Sequence, residues 1–74
     1  MIESTVGRVL WLAVENGVFR KRLLSGMGDA LAEEGFILTD DEMQTMRDHY
    51  ETFQHLNDRR ALERINALAM AYHR

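Results

Sequence analysis

Apolar residues recur at three- and four-residue steps along almost the whole chain, which is the spacing of one face of an α-helix. In the first segment this stripe consists of Val6, Val9, Leu10, Ala13 and Val14. Ser4 precedes the stripe and belongs to the residue types that cap helix N-termini. The chain contains no proline. The pattern therefore predicts an all-α fold, a small bundle of four to five helices.

Turn-forming residues divide the first half of the chain into short helices. Asn16-Gly17 is predicted to end the first helix with glycine in the left-handed conformation, although the same pair is also a hairpin signal. A second helix is predicted from Val18 to Leu24. Asp29 is predicted to cap a third helix, which ends at Gly35. Further predictions are that Leu31 and Ala32 face inward and that Phe36, Ile37 and Leu38 form a buried linker.

The sequence Thr39-Asp40-Asp41-Glu42 fits the capping box of a helix N-terminus. In this motif the Thr39 side chain caps the backbone amide of Glu42, and the Glu42 side chain reaches back to the amide of Thr39. Leu38 and Met43 stand at the two positions of a hydrophobic staple. A fourth helix is therefore predicted to begin after Thr39.

Two heptad-like seams follow, and they do not share a phase. The first consists of Met43, Met46, Tyr50 and Phe53, and the second of Leu62, Ile65, Ala69 and Tyr72. We interpret the change of phase as a break near Asn57-Asp58, with Asp58 as the cap of a last helix; one long bent helix is the alternative. Residues 1–74 are then a single domain, in which a 1–56 core is followed by an additional amphipathic helix over 57–74.

Charge is distributed unevenly along the 74 residues, whose formal net charge is −3. Residues 29–57 contain eight Asp and Glu residues and a single basic residue, Arg47. An acidic centre argues against a nucleic-acid module and favours a basic partner. No apolar stretch approaches the roughly 20 residues of a membrane span, and no signal peptide is recognisable, so we expect a cytoplasmic protein that does not bind membranes.

Candidate chemistry is sparse. Asp48, Glu51 and His55 share one predicted helix face with His49 nearby, which is compatible with a metal or acid-base cluster or with an ordinary solvated face. We favour the solvated face, because a metal site of this kind usually needs ligands from a second element, and the remaining histidine, His73, lies near the chain end. The arginines Arg59, Arg60 and Arg64 are similarly interpreted as an amphipathic surface rather than a phosphate site. With no cysteine and no nucleophile-base set, we expect no catalysis, no cofactor and no metal.

Residues 5–46 carry an ordered pattern of helix, turn, Phe19 to Leu24, a small-residue break, Ala30 to Gly35, and Leu38 to Glu42. This pattern resembles the helical leader segment of the nitrile-hydratase-related type and the small-subunit fold of aromatic-ring-opening dioxygenases. Such segments are often attached to ribosomally made peptides, where they dock the precursor on a modifying enzyme. The resemblance implies a leader-like precursor or accessory subunit that docks on a larger biosynthetic enzyme.

We therefore expect a non-catalytic protein-recognition module whose binding depends on the segment from Phe19 to Met46 and survives removal of residues 57–74. The residues expected to contact the partner are Trp11, Phe19, Leu23, Asp40, Asp41, Met43 and Met46. Trp11 is either an exposed anchor or part of a wider core. The alternative function is a homodimeric structural or regulatory protein, in which the two seams pair with those of a second copy.

Overall fold

The computed structural model describes residues 4–72, and this range forms five α-helices and no strand. The helices are α1 (Thr5–Glu15), α2 (Gly17–Ser25), α3 (Met27–Glu33), α4 (Asp40–Phe53) and α5 (Asp58–Ala69). The predicted all-α fold, a small helical bundle, is confirmed.

Side-chain caps define three of the predicted helix starts. The Ser4 hydroxyl accepts a hydrogen bond from the Gly7 amide at 3.3 Å and begins α1. Both hydrogen bonds of the capping box are present at Thr39. The predicted break between the last two helices is also confirmed, but its cap is Asn57, whose side chain accepts from the Arg60 amide at 2.9 Å, and Asp58 is the first helical residue.

Two predicted boundaries are wrong in detail. Asn16 is extended and caps α2, because its side-chain oxygen accepts from the amides of Val18 and Phe19, both at 3.0 Å. The chain turns directly from α1 into α2, so Gly17 starts a helix and no left-handed residue is needed. Similarly, α3 begins at Met27, and Asp29 lies in its first turn rather than at the cap.

Gly35 ends α3 as predicted, with a positive φ of 78°. The amides of Gly35 and Phe36 bond back to the carbonyls of Ala32 and Leu31, which is the Schellman arrangement. The linker that follows is only partly buried. The Phe36 ring packs against the core, whereas the next side chain, Ile37, is 88% exposed because successive side chains of an extended segment point in opposite directions. Ala32 is exposed as well, contrary to its predicted inward position.

A single hydrophobic cluster forms the core, and α5 contributes three of its fully buried residues, Ala61, Ile65 and Ala69. The second predicted seam is therefore used mainly within the chain. Helix α5 runs antiparallel to α1, since the start of α1 lies beside Tyr72 and the end of α1 lies near Asp58. Of the described residues, 4–56 consequently do not enclose the core without α5.

Each end of the α1 and α5 pair has its own contact. At one end, a Cβ added to Gly7 would lie 2.8 Å from the Cβ of Tyr72, so glycine permits the close approach. At the other end, the Arg20 guanidinium donates to the carbonyl of Ala13 at 2.8 Å and to the carboxylate of Asp58 at 3.0 Å. This hydrogen bond and the charge of Arg20 lower the pKa of Asp58 below its ordinary value of 3.8, although desolvation opposes them.

None of the helices within residues 4–72 combines the length and the apolar character that crossing a membrane requires.

Candidate binding surface

The outer face of α1 forms the floor of an open groove of about 640 Å³. This face consists of side chains spaced three and four residues apart, among them Arg8, Trp11, Leu12 and Glu15. They lie opposite the buried stripe of the same helix. From Ser4 to Glu15 the floor extends about 16 Å, at 1.5 Å per helical residue. We call this feature the α1 groove.

One wall of the α1 groove is the linker between α3 and α4, from Glu34 to Ile37. Phe36 fixes this wall to the protein, because its ring packs at 6.1 Å from the ring of Phe19 and lies 6.0 Å from the Arg8 guanidinium carbon. The Schellman turn holds the backbone before it. Ile37 is thus presented to solvent from an anchored segment.

The other wall is Tyr72, just beyond the end of α5. The indole N–H of Trp11 donates to the Tyr72 carbonyl at 2.9 Å. The Tyr72 hydroxyl lies 3.0 Å from Nε2 of His49, and the two rings meet edge to face. Trp11 therefore has a fixed orientation in the groove, and Tyr72 connects α1 to α4.

Exposed carboxylates follow the groove wall along the chain. Asp40 and Asp41 occupy the first turn of α4, three and four residues after Ile37, and Asp48 and Glu51 are exposed further along the helix. The acids of the first turn are favourably placed at the positive end of the helix dipole. We call the four residues Asp40, Asp41, Asp48 and Glu51 the acidic surface.

The residues expected to contact a partner are divided between core and surface. Phe19, Leu23 and Met46 are at most 1% exposed and belong to the core, so they are not available to a partner in this structure. Trp11 and Met43 are half-buried, and Asp40 and Asp41 are exposed. Sequence reasoning missed the two wall residues, because it placed Ile37 in a buried linker and Tyr72 in a heptad-like seam.

The side chains considered for metal or phosphate chemistry do not converge. Asp48, Glu51 and His55 are exposed on α4, and nowhere in residues 4–72 do three His, Cys, Asp or Glu side chains group as metal ligands would. His73 lies outside the described residues. The three arginines Arg59, Arg60 and Arg64 are exposed along α5.

Comparison of the chain with protein-family models, with curated proteins and with solved structures found no match. The resemblance to leader segments therefore stays a prediction.

Proposed function

We propose that the protein is a non-catalytic recognition module that docks on a basic surface of a larger protein. The observation that carries this proposal is the exposure of the acidic surface. The side-chain ion pairs formed within residues 4–72 join Arg20 to Asp58 and Arg22 to Glu33, so they leave these four carboxylates without a cationic partner. Arg47 is also exposed on α4, but the four carboxylates outnumber it, and an excess of one charge sign raises the rate at which an oppositely charged partner associates.

The leader-like pattern of residues 5–46 supports the kind of partner. It includes the start of α4 with Asp40 and Asp41, which places part of the acidic surface inside the segment that resembles a docking element. The larger protein is, on this proposal, a biosynthetic enzyme of the peptide-modifying class, and the chain is its leader-like precursor or accessory subunit.

A homodimer built on the C-terminal seam is the weaker candidate. Ile65 and Ala69 are fully buried within the chain, and Tyr72 packs on α1. A second copy would have to use another surface, such as those around the exposed side chains of Val18 and Met70.

Affinity capture from native extract, followed by binding kinetics on the captured protein, tests the proposal. The Asp40→Asn/Asp41→Asn variant should associate more slowly and with a flatter salt dependence, while its dissociation rate changes little, because peripheral charges act mainly on the encounter. The control variant, Glu33→Gln/Glu63→Gln, removes two exposed charges from α3 and α5 instead. Equal slowing in both variants, or capture of the chain's own copies alone, would contradict docking through the acidic surface.

A further inference from the structure

The α1 groove borders the core, since Trp11, Leu12 and Phe36 pack against it, and along the chain it is followed by the acidic surface. We propose that this groove binds one basic amphipathic helix of the partner protein, about three turns long. The inference rests on the proposed docking function and specifies the partner's element and chemistry.

The shape of the groove favours a helix. Its floor is the outer face of α1, and a partner helix that matches the length of this floor, about 16 Å, has about 11 residues. Peptides that bind in extended form usually add to a free sheet edge, and residues 4–72 contain no strand to supply one. An amphipathic helix laid along an apolar groove is a common mode of peptide binding, and it matches the helical floor of this one.

Apolar contacts in the groove come from Trp11 and Leu12 on the floor and Ile37 on the wall. The indole is half-buried and held by the Tyr72 carbonyl, so binding would fix few of its torsions. Ile37 is 88% exposed on an anchored turn, and its burial would remove apolar surface from water. Tryptophan is among the residues that dominate the energetics of many interfaces.

The charged residues near the groove indicate which residues should flank the apolar face of the partner helix. Glu34 lines the groove beside Ile37, and Asp40 and Asp41 follow on the same stretch of chain. Arg8 belongs to the groove floor, and its guanidinium lies near the Phe36 ring of the linker wall. Glu34 in the groove, with Asp40 and Asp41 beyond it on α4, therefore complements lysine or arginine residues that flank the apolar face of a partner helix.

A synthetic peptide of about 15 residues, long enough for marginal helicity on its own, provides the probe. Its leucines are spaced three and four residues apart, so that they form one apolar face of a helix, and lysines occupy the other positions. One matched peptide replaces every lysine by glutamate, and another keeps the composition but scrambles the helical period. Trp11 fluorescence reports binding, since Trp11 is the only tryptophan of the chain, and amide chemical shifts of the full-length protein locate it. We expect saturable binding of the first peptide, with chemical-shift changes along α1 and residues 34–37. Both matched peptides should bind with an affinity about tenfold lower, or lower still.

Ile37→Ser and Val18→Ser form a matched pair, because both replace an exposed β-branched side chain but only Ile37 lines the groove. Ile37→Ser should weaken binding of the leucine-lysine peptide about tenfold while Val18→Ser leaves it unchanged. Equal affinity of both variants, equal binding of the scrambled peptide, or shifts confined to α4 would overturn the groove assignment.

The same variants separate this inference from the docking function. If partner binding responds to the Asp40→Asn/Asp41→Asn variant while Ile37→Ser leaves the affinity for both the peptide and the partner unchanged, the proposed docking through the acidic surface is retained and the groove assignment is wrong. If the charge variants leave partner kinetics unchanged, the acidic docking surface itself fails. Light scattering on the protein alone provides the last outcome: a dimer that Ile37→Ser dissociates would place a second copy in the groove and overturn the proposed occupant.

Discussion

The two faces of α1 are made by the same 11-residue helix, yet they have opposite environments. On the inner face Val6, Val9, Leu10 and Ala13 are at most 3% exposed and lie in the core. On the outer face Trp11 and Leu12 are only half-buried and stand among charged residues in the groove. In a domain this small the other helices cover only one side of α1, and the uncovered side is available for binding.

At both ends of the inner face, α1 is held against α5 by a specific contact. The outer face has only two walls beside it, the linker from Glu34 to Ile37 and the side chain of Tyr72. Gly7 permits contact with Tyr72 at one end, and Arg20 joins α1 to Asp58 at the other. Substitutions on the inner side and at its two ends should therefore reduce stability, while substitutions on the outer side should alter binding first.

The largest expected effect is the difference between Leu10→Ala and Leu12→Ala. Leu10 is fully buried, so its truncation should lower the free energy of unfolding by about 2–5 kcal/mol through lost burial and an unfilled cavity. Leu12 is half-buried on the groove floor, and the same truncation should cost about 1 kcal/mol. Urea denaturation of both variants at one pH measures the difference. Equal losses would mean that the two faces of α1 are packed alike.

Gly7→Ala should have an intermediate effect. The added Cβ would lie 2.8 Å from the Tyr72 Cβ, which cannot move without shifting the end of α5. Overpacking of this kind costs about 1–3 kcal/mol, and the higher helix propensity of alanine returns up to about 1 kcal/mol of it. We therefore expect a net loss of stability, together with a change in Trp11 fluorescence, because Trp11 bonds to the Tyr72 carbonyl.

Gly28→Ala is the matched control for this substitution. Gly28 also lies in a helix, but no heavy atom other than those of its neighbours lies within 4 Å of an added Cβ. The variant should gain roughly 0.5 kcal/mol from helix propensity. A gain of stability in Gly7→Ala as well would show that α1 and α5 are not held in close contact at this end.

Local signals in the sequence predicted the helix starts at Ser4 and Thr39 and the helix end at Gly35, because each of these motifs is completed within a few residues. The stripe of α1 was predicted for the same reason. The division of apolar residues between core and surface was not, since Phe19 and Ile37 are alike in hydrophobicity and differ only in what the folded chain places against them. The Trp11 and Tyr72 contact joins residues 61 positions apart, and no periodicity indicates it.

The smallest expected effect concerns the Arg20 and Asp58 pair, which closes the inner face at the end opposite to Gly7. The pKa of Asp58 is lowered in the folded protein by the hydrogen bond from Arg20, so folding favours the ionised carboxylate. The resulting stabilisation is complete above the ordinary pKa of 3.8 and is lost as the pH falls through the lower pKa of the folded state. The Asp58 side chain is 42% exposed, so solvent screens the pair and its contribution is correspondingly small.

Unfolding of the wild type and of Asp58→Asn, measured by urea at a series of pH values, should therefore show a modest difference in stability at neutral pH that shrinks only below pH 3.8. Glu33→Gln is the control, because the Arg22 and Glu33 pair is more exposed, with side chains 53% and 60% accessible, and joins α2 to α3 outside the α1 and α5 pair. Its stability should follow that of the wild type at every pH. If Asp58→Asn does the same, the ion pair does not hold this end of α1 against α5, and the inner face is closed by apolar packing and the Tyr72 contact alone.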